Sequence, residues 1–174
     1  MLFTHADRYD SKMLYEGKIF DLRLDSLRSK EGVEVDREVV VHNGGVVIAA
    51  QPADDEVILI KQYRYSLDDY ILELPAGRIE KGEDPAPAAV RELKEETGYV
   101  ASSWKTLTEL YSAPGFCTEV LYLYQARDLT LTEKELDMDE ETEVVVLKLS
   151  EAWTMVQKGS IKDCKTVAGI GMLL

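Results

Sequence analysis

The stretch from Arg91 to Val100, RELKEETGYV, places Glu92, Glu95 and Glu96 at i, i+3 and i+4. On a helix these carboxylates share one face, and like charges at that spacing repel. Two arrangements answer the repulsion. Water can solvate the face, which then does no chemistry. Alternatively, a hard divalent cation can lie among the acids, because Mg²⁺ takes oxygen ligands and keeps part of its shell for water and phosphate oxygens. Arg91 reaches Glu95 at i+4 and relieves that acid alone. Helical spacing by itself favours the solvated face and leaves the cation open.

The surrounding elements must position these acids. Residues 84–98 read as a helix, with Asp84 as N-cap, Pro85 at the first helical position and Gly98 just past the end. At about 100° per residue, Ala86, Ala89, Val90, Leu93 and Thr97 form an apolar arc, with the acids on a separate arc. Upstream, residues 1–13 are polar and expected to be poorly ordered. Residues 14–42 read as two strands in a hairpin, since FDLRLDSLR alternates and VEVDREVVVH is β-rich. VVIAAQ and EVILIKQYRY, separated by PADD, read as a second hairpin. YILELP is a short strand ended by Pro75. After the helix, WKTLTELY, EVLYLYQARDL and EVVVLKL are expected strands. Ser150 is expected to cap a helix that Gly159 ends, and IKDCKTVAGIGMLL reads as a last short helix. Many strands with a few helices imply an α/β or α+β fold.

Composition narrows the class. The 174 residues suggest a single domain, and 45% hydrophobic residues can fill a core. A net charge of −13 opposes binding to nucleic acid or to anionic membrane. A small anionic substrate stays compatible if a cation bridges it to the acids. Cys117 and Cys164 lack metal spacing and are expected to be reduced thiols. The first ten residues carry no basic-then-apolar leader, and there is no run of about 18 apolar residues. A soluble cytoplasmic protein is the expectation. His5, His42 and Cys117 offer no nucleophile.

The longer stretch GRIEKGEDPAPAAVRELKEETGY separates the readings. Gly77, five residues, Glu83, seven residues and then Arg91-Glu92-Leu93-Lys94-Glu95-Glu96-Thr97-Gly98 resemble the Nudix box, residues 77–99 here. Every fixed position is present, and Tyr99 replaces the usual aliphatic at the end. The resemblance implies a mixed β-sheet sandwiched between helices. It also implies Mg²⁺ or Mn²⁺ held by Glu92 and Glu96, with Glu95 sharing a second ion and the Ala76 carbonyl as a further ligand. Glu83 and Arg91 would orient the helix and its loop. The implied chemistry is hydrolysis of a nucleoside diphosphate linked to another group.

The flanks resemble the ADP-ribose pyrophosphatase branch of that family, over about residues 14–170. ELPAG (Glu73 to Gly77) runs into the box, and Pro114 lies 16 residues past Gly98. Glu73 and Pro114 are therefore expected to line the substrate. Arg37 and Arg64 match positions that bind the diphosphate or terminal ribose, which suits a planar bidentate fork. Tyr15, Phe20 and Tyr63 are candidates to stack on adenine, with core packing the alternative for each. The catalytic base is expected on the acidic loop DMDEETEVVV, as Glu140 with Glu141 and Glu143 as neighbours, and Glu95 assists. Residues 1–43 would form an N-terminal strand segment that swaps across a homodimer, and 44–174 the Nudix domain. The readings left by the resemblance are ADP-ribose hydrolysis, hydrolysis of another nucleoside diphosphate sugar or dinucleotide, and a non-catalytic metabolite sensor. The intact box glutamates favour catalysis.

Overall fold

The computed structural model describes residues 3–133 and 142–174. The chain divides into two compact units, Met1–Gly44 with Tyr111–Val120, and Gly45–Leu110 with Leu121–Leu174.

The first unit is a three-stranded antiparallel sheet, β1 (Arg8–Glu16), β2 (Asp21–Arg28) and β3 (Glu34–Val41), in that order. The expectation of a poorly ordered start is thus wrong. Strand β1 runs its ladder from Arg8 opposite Leu27 to Glu16 opposite Asp21, and a bulge interrupts it at two places. It escaped notice because all nine of its residues are exposed, so no apolar alternation marks it. The supposed single strand from 14 to 27 is broken at Gly17, whose N–H donates to the Asp21 carboxylate at 3.1 Å. Asp25, 5% exposed, accepts from Ser11 Oγ, Arg23 and Arg8. Burial opposes its charge, but those donors outweigh burial and hold the carboxyl below its ordinary range. The segment Tyr111–Val120 hydrogen-bonds to β3 through Val40 N to Phe116 O and Thr118 N to Val40 O.

The second unit carries two sheets. One has the order β7 (Ala76–Arg78), β4 (Gly45–Ala50), β9 (Val120–Leu131), β8 (Tyr99–Tyr111), and the other β10 (Thr142–Lys148), β5 (Glu56–Arg64), β6 (Asp69–Glu73). Strand β4 pairs parallel with β9 and antiparallel with β7. The expected hairpin of β4 with β5 does not form, because β4 is buried on both faces and takes its two neighbours from elsewhere in the chain. Its side chains alternate between two cores. Val46, Ile48 and Ala50 pack with Leu93, Ala88 and Ala89 of helix α1 (Pro85–Thr97). Val47 and Ala49 pack with Leu149 and Ala152 of α2 (Leu149–Gln157) and Ile170 of α3 (Cys164–Leu173). Helices therefore cover both faces of a mixed sheet.

Helix ends follow their local chemistry. Asp84 sits at the N-cap of α1, although its side chain makes no capping bond, and Pro85 is the first helical residue. Gly98 closes the helix at φ 75°, a left-handed conformation suited to glycine. Ser150 is not the cap of α2; Lys148 holds that place. Asp163 caps α3, accepting from Thr166 N at 3.0 Å. No helix among the described residues is long and apolar enough to cross a membrane.

Candidate active site

Helix α1 buries a different arc from the one expected. Its buried residues are Ala88, Ala89, Glu92, Leu93, Glu96 and Thr97, while Val90 is 46% exposed. Glu92 and Glu96 thus lie in the buried arc, 8% and 2% exposed, and the bare acidic strip reduces to Glu95 at its edge. An ionised carboxylate leaves water only where polar partners replace it. The short strand β7 is one source. Ala76 N–H donates to Glu96 Oε2 at 2.8 Å. At the next residue a Cβ would sit 1.9 Å from the Glu92 carboxyl carbon, so position 77 has room for glycine alone. The missing side chain of Gly77 is the cradle into which Glu92 folds.

Arg91 is the second source. Its Nη1 donates to Glu92 Oε1 at 2.7 Å and to Glu95 Oε2 at 2.8 Å. Its Nε and Nη2 donate to the two oxygens of Glu83 at 3.2 and 3.0 Å, and Nη2 also reaches the Arg78 carbonyl at 3.1 Å. One guanidinium therefore ties three carboxylates to the end of β7, where spacing had allotted it one. The hydrogen bonds to Glu83 come first among the causes that push Arg91 further above its ordinary range. The same bonds hold Glu83 below its own. Glu83 Oε2 also accepts Glu80 N–H at 3.0 Å, which closes the loop before the helix. Beyond the helix, Tyr99 opens β8 and packs half-buried on the first core, so an aromatic ring is accommodated there.

The donor set suits a hard cation. Carboxylate oxygens of Glu92 and Glu96 lie against the backbone of Ala76 and Gly77, and Mg²⁺ sites commonly use one or two carboxylates with water completing the shell. Among the described residues no three acidic, histidine or cysteine side chains form a ready cage. Arg91 lies between Glu92 and Glu95 instead.

A second polar cluster was only half anticipated. Arg64 Nε and Nη2 donate to Glu73 Oε1 and Oε2 at 2.6 and 2.9 Å, and the Lys165 ammonium donates to Glu73 Oε2. Glu73 is 1% exposed. Lys165 lies 3.0 Å from Asp163 Oδ2, which also accepts from the Thr166 hydroxyl at 2.6 Å. That hydroxyl in turn accepts Leu74 N–H at 2.8 Å. Arg64 and Glu73 were singled out by resemblance; Lys165, Asp163 and Thr166 were not. The partners are 92 residues apart, and a DCKT tetrapeptide opening a helix carries no signal of them.

The remaining candidates are dispersed. Glu140 and Glu141 lie outside the described residues. Glu143 is exposed opposite Lys61, with 4.0 Å between their charged atoms. Arg37 and Pro114 belong to the first unit, where they line a cavity of about 640 Å³ with Arg8, Arg23 and Phe116. Arg37 Nη1 donates to Asp36 O at 2.9 Å. Tyr15, Phe20 and Tyr63 are 55%, 41% and 41% exposed, so core packing accounts for none of them. Tyr15 and Phe20 meet with their rings tilted by 49° at a centroid distance of 5.9 Å, and Tyr63 meets Tyr70 edge-on.

Comparison with known proteins agrees with the box. The family model described as NUDIX domain matches residues 41–165. An ADP-ribose pyrophosphatase of Bacillus subtilis (strain 168) is 37% identical over 164 residues, covering 93% of this chain and 89% of its own. A methanol dehydrogenase activator of Bacillus methanolicus is 36% identical over 94% of this chain and 89% of its own. A solved structure described as an ADP compounds hydrolase superposes with a TM-score of 0.85 at 26% identity, covering 95% of this chain and 90% of that one.

Two outcomes follow from this geometry. Gly77→Ala forces the Glu92 carboxylate away, and a displacement of about 1 Å at a reacting centre can cost about 10²-fold. The variant should lose hydrolytic activity by about that factor while circular dichroism stays native; wild-type activity would remove the cradle's role. The Glu83–Arg91 pair sets a pH window. Because the folded carboxyl titrates below its ordinary value of 4.5, its stabilisation is complete above that pH and is lost as pH falls through the lowered value. The melting-temperature deficit of Glu83→Gln should therefore be full at about pH 7 and shrink at about pH 3.

Proposed function

This chain belongs to the Nudix family, and from that premise we propose that it hydrolyses the diphosphate of ADP-ribose to AMP and ribose 5-phosphate. The observation that carries the reading is the box helix itself, with Glu96 folded against Ala76, Glu92 folded against Gly77, and Glu92 bonded to Arg91. The choice of ADP-ribose is supported by the likeness to an ADP-ribose pyrophosphatase over nearly the whole chain.

Glu92, Glu95, Glu96 and the Ala76 carbonyl would hold Mg²⁺, or Mn²⁺ in its place. Such an ion, when bound, neutralises phosphate oxygens and acidifies a water. The chain's own residues do the rest. Arg91 fixes the rotamers of Glu92 and Glu95 and ties them to the loop through Glu83. Arg64, whose Nη1 is not committed to Glu73, binds a diphosphate oxygen; Arg37 is the other arginine that the resemblance assigns to the substrate. One acid of the segment 137–143, with Glu140 the first choice and Glu141 and Glu143 its neighbours, takes the proton of the attacking water. Water oxygen bonds to one phosphorus, and the bond from that phosphorus to the bridging oxygen breaks. The other phosphate leaves with the bridging oxygen.

A second reading keeps the reaction and changes the group beyond ADP. It is favoured by the solved structure whose description names ADP compounds in general. Incubation with Mg²⁺ and a panel of ADP-ribose, ADP-glucose, GDP-mannose, diadenosine polyphosphates and NADH separates the two. ADP-ribose should give the highest kcat/KM, and removal of divalent ions should abolish turnover. Glu96→Gln should lower kcat by about 10²-fold or more with the fold intact. Turnover of no compound would end the enzyme reading.

The N-terminal strands would join two copies of the chain. Supporting this, β1 is exposed along its whole length, and Tyr9, Met13, Leu14, Tyr15, Ile19 and Phe20 present apolar surface. Light scattering at micromolar concentration should give twice the chain mass of 19.6 kDa; a monomer there would exclude the dimer.

A further inference from the structure

The cluster at the N-terminal end of α3 has a role that neither the box nor the family resemblance assigns. Glu73 is among the most buried carboxylates of the described residues, and it is held by two cations at once. Arg64 approaches it as a bidentate fork, and Lys165, whose side chain is 12% exposed, closes on the same oxygen that Arg64 Nη2 uses. Lys165 is fixed in turn by Asp163, whose carboxylate is anchored by the Thr166 backbone and hydroxyl. Charges therefore alternate from Asp163 through Lys165 and Glu73 to Arg64. The far end of this row meets the active helix electrostatically, because Glu96 is among the charges that act on Arg64.

A bidentate fork on a buried carboxylate immobilises a guanidinium whose side chain would otherwise sample many rotamers. It commits Nε and Nη2 and leaves Nη1 for an anionic oxygen. The fork depends on Glu73 staying ionised and in place. At 1% exposure that requires more than Arg64, since a buried charge with one partner partly exposed is poorly compensated. Lys165 supplies the second, nearly buried cation.

We propose that Lys165 is a positioning residue for the hydrolysis: by holding the Glu73 carboxylate it fixes the fork of Arg64 and so sets affinity for the substrate's diphosphate. This rests on the reading of the chain as an ADP-ribose hydrolase in which Arg64 binds substrate. In this role Lys165 acts through Glu73 and Arg64 and not on the reacting atoms.

Steady-state kinetics with ADP-ribose and Mg²⁺ test it. Lys165→Met should raise KM about tenfold with kcat within about threefold, the pattern of lost ground-state binding. Lys165→Arg should restore most of the loss. In an Arg64→Ala background Lys165→Met should add nothing, because its effect travels through that side chain. An unchanged KM in Lys165→Met, a fall in kcat alone, or the same KM factor in the Arg64→Ala background would overturn the proposal. If Lys165→Met fails to fold, Glu73→Gln/Lys165→Met removes the buried carboxylate together with one of its two cations, while the glutamine amide oxygen can still accept from Arg64. That double variant should fold with a raised KM, and a wild-type KM in it would likewise overturn the proposal. Wild-type protein inert toward ADP-ribose would instead overturn the reading beneath it, and the first measurement of the series shows which has failed.

Discussion

The approach of the Glu92 carboxylate to the backbone at Gly77 is the constraint on which the active helix depends. No side chain fits between them. Helix α1 can therefore press two glutamates, rather than two apolar residues, onto the end of β7. Each then needs polar partners to replace water, since an ionised carboxylate without them carries a large desolvation cost. The Ala76 N–H serves Glu96 and the Arg91 guanidinium serves Glu92. Glycine, arginine and the strand end are thus consequences of one close contact. The apolar grip of the helix comes from its flanks, where Ala88, Ala89 and Leu93 pack under β4.

The same contact explains what the sequence concealed. Spacing put Glu92, Glu95 and Glu96 on one face, and the positions of Gly77, Glu83 and Arg91 gave that face a meaning. The facing of the helix was misjudged because an apolar arc is the usual guide to burial. Here the arc that is buried meets a backbone without a side chain, so polarity and burial part company. Strand β1 was missed for a related reason: it is held by its ladder to β2, and all nine of its residues are exposed. The two apolar runs of β4 and β5 were read as a hairpin because they are neighbours in sequence. Burial of β4 on both faces, which places it inside a sheet with β7 and β9, is a tertiary fact that local pattern does not encode.

Site residues divide along the same line. Those within the box were legible, because fixed offsets along one loop and one helix fix their geometry. Arg64 and Glu73 were legible only as resemblances, and their mutual fork was not. Lys165 and Thr166 were illegible, since they reach Glu73 and Leu74 across 92 residues of chain. Contacts of that separation depend on how α3 seats against the second core through Ile170.

The two buried acid clusters differ in how charge is balanced, and the difference decides which can take a cation. At Glu73 one carboxylate is shared by two cations, Arg64 and Lys165. That cluster is closed: an added divalent ion would meet two positive neighbours at close range. At the box one guanidinium is divided among Glu83, Glu92 and Glu95. Glu96 lies one helical turn from Glu92. Proximity of like charges is unfavourable by itself and becomes favourable when a small dication joins them. The Arg91 network holds Glu83, Glu92 and Glu95 near one another. The ring of bonds to Glu83 and the Arg78 carbonyl lets it do so from one side of the cluster. One carboxylate shared by two cations and one guanidinium divided among three carboxylates are thus opposite solutions to burying charge.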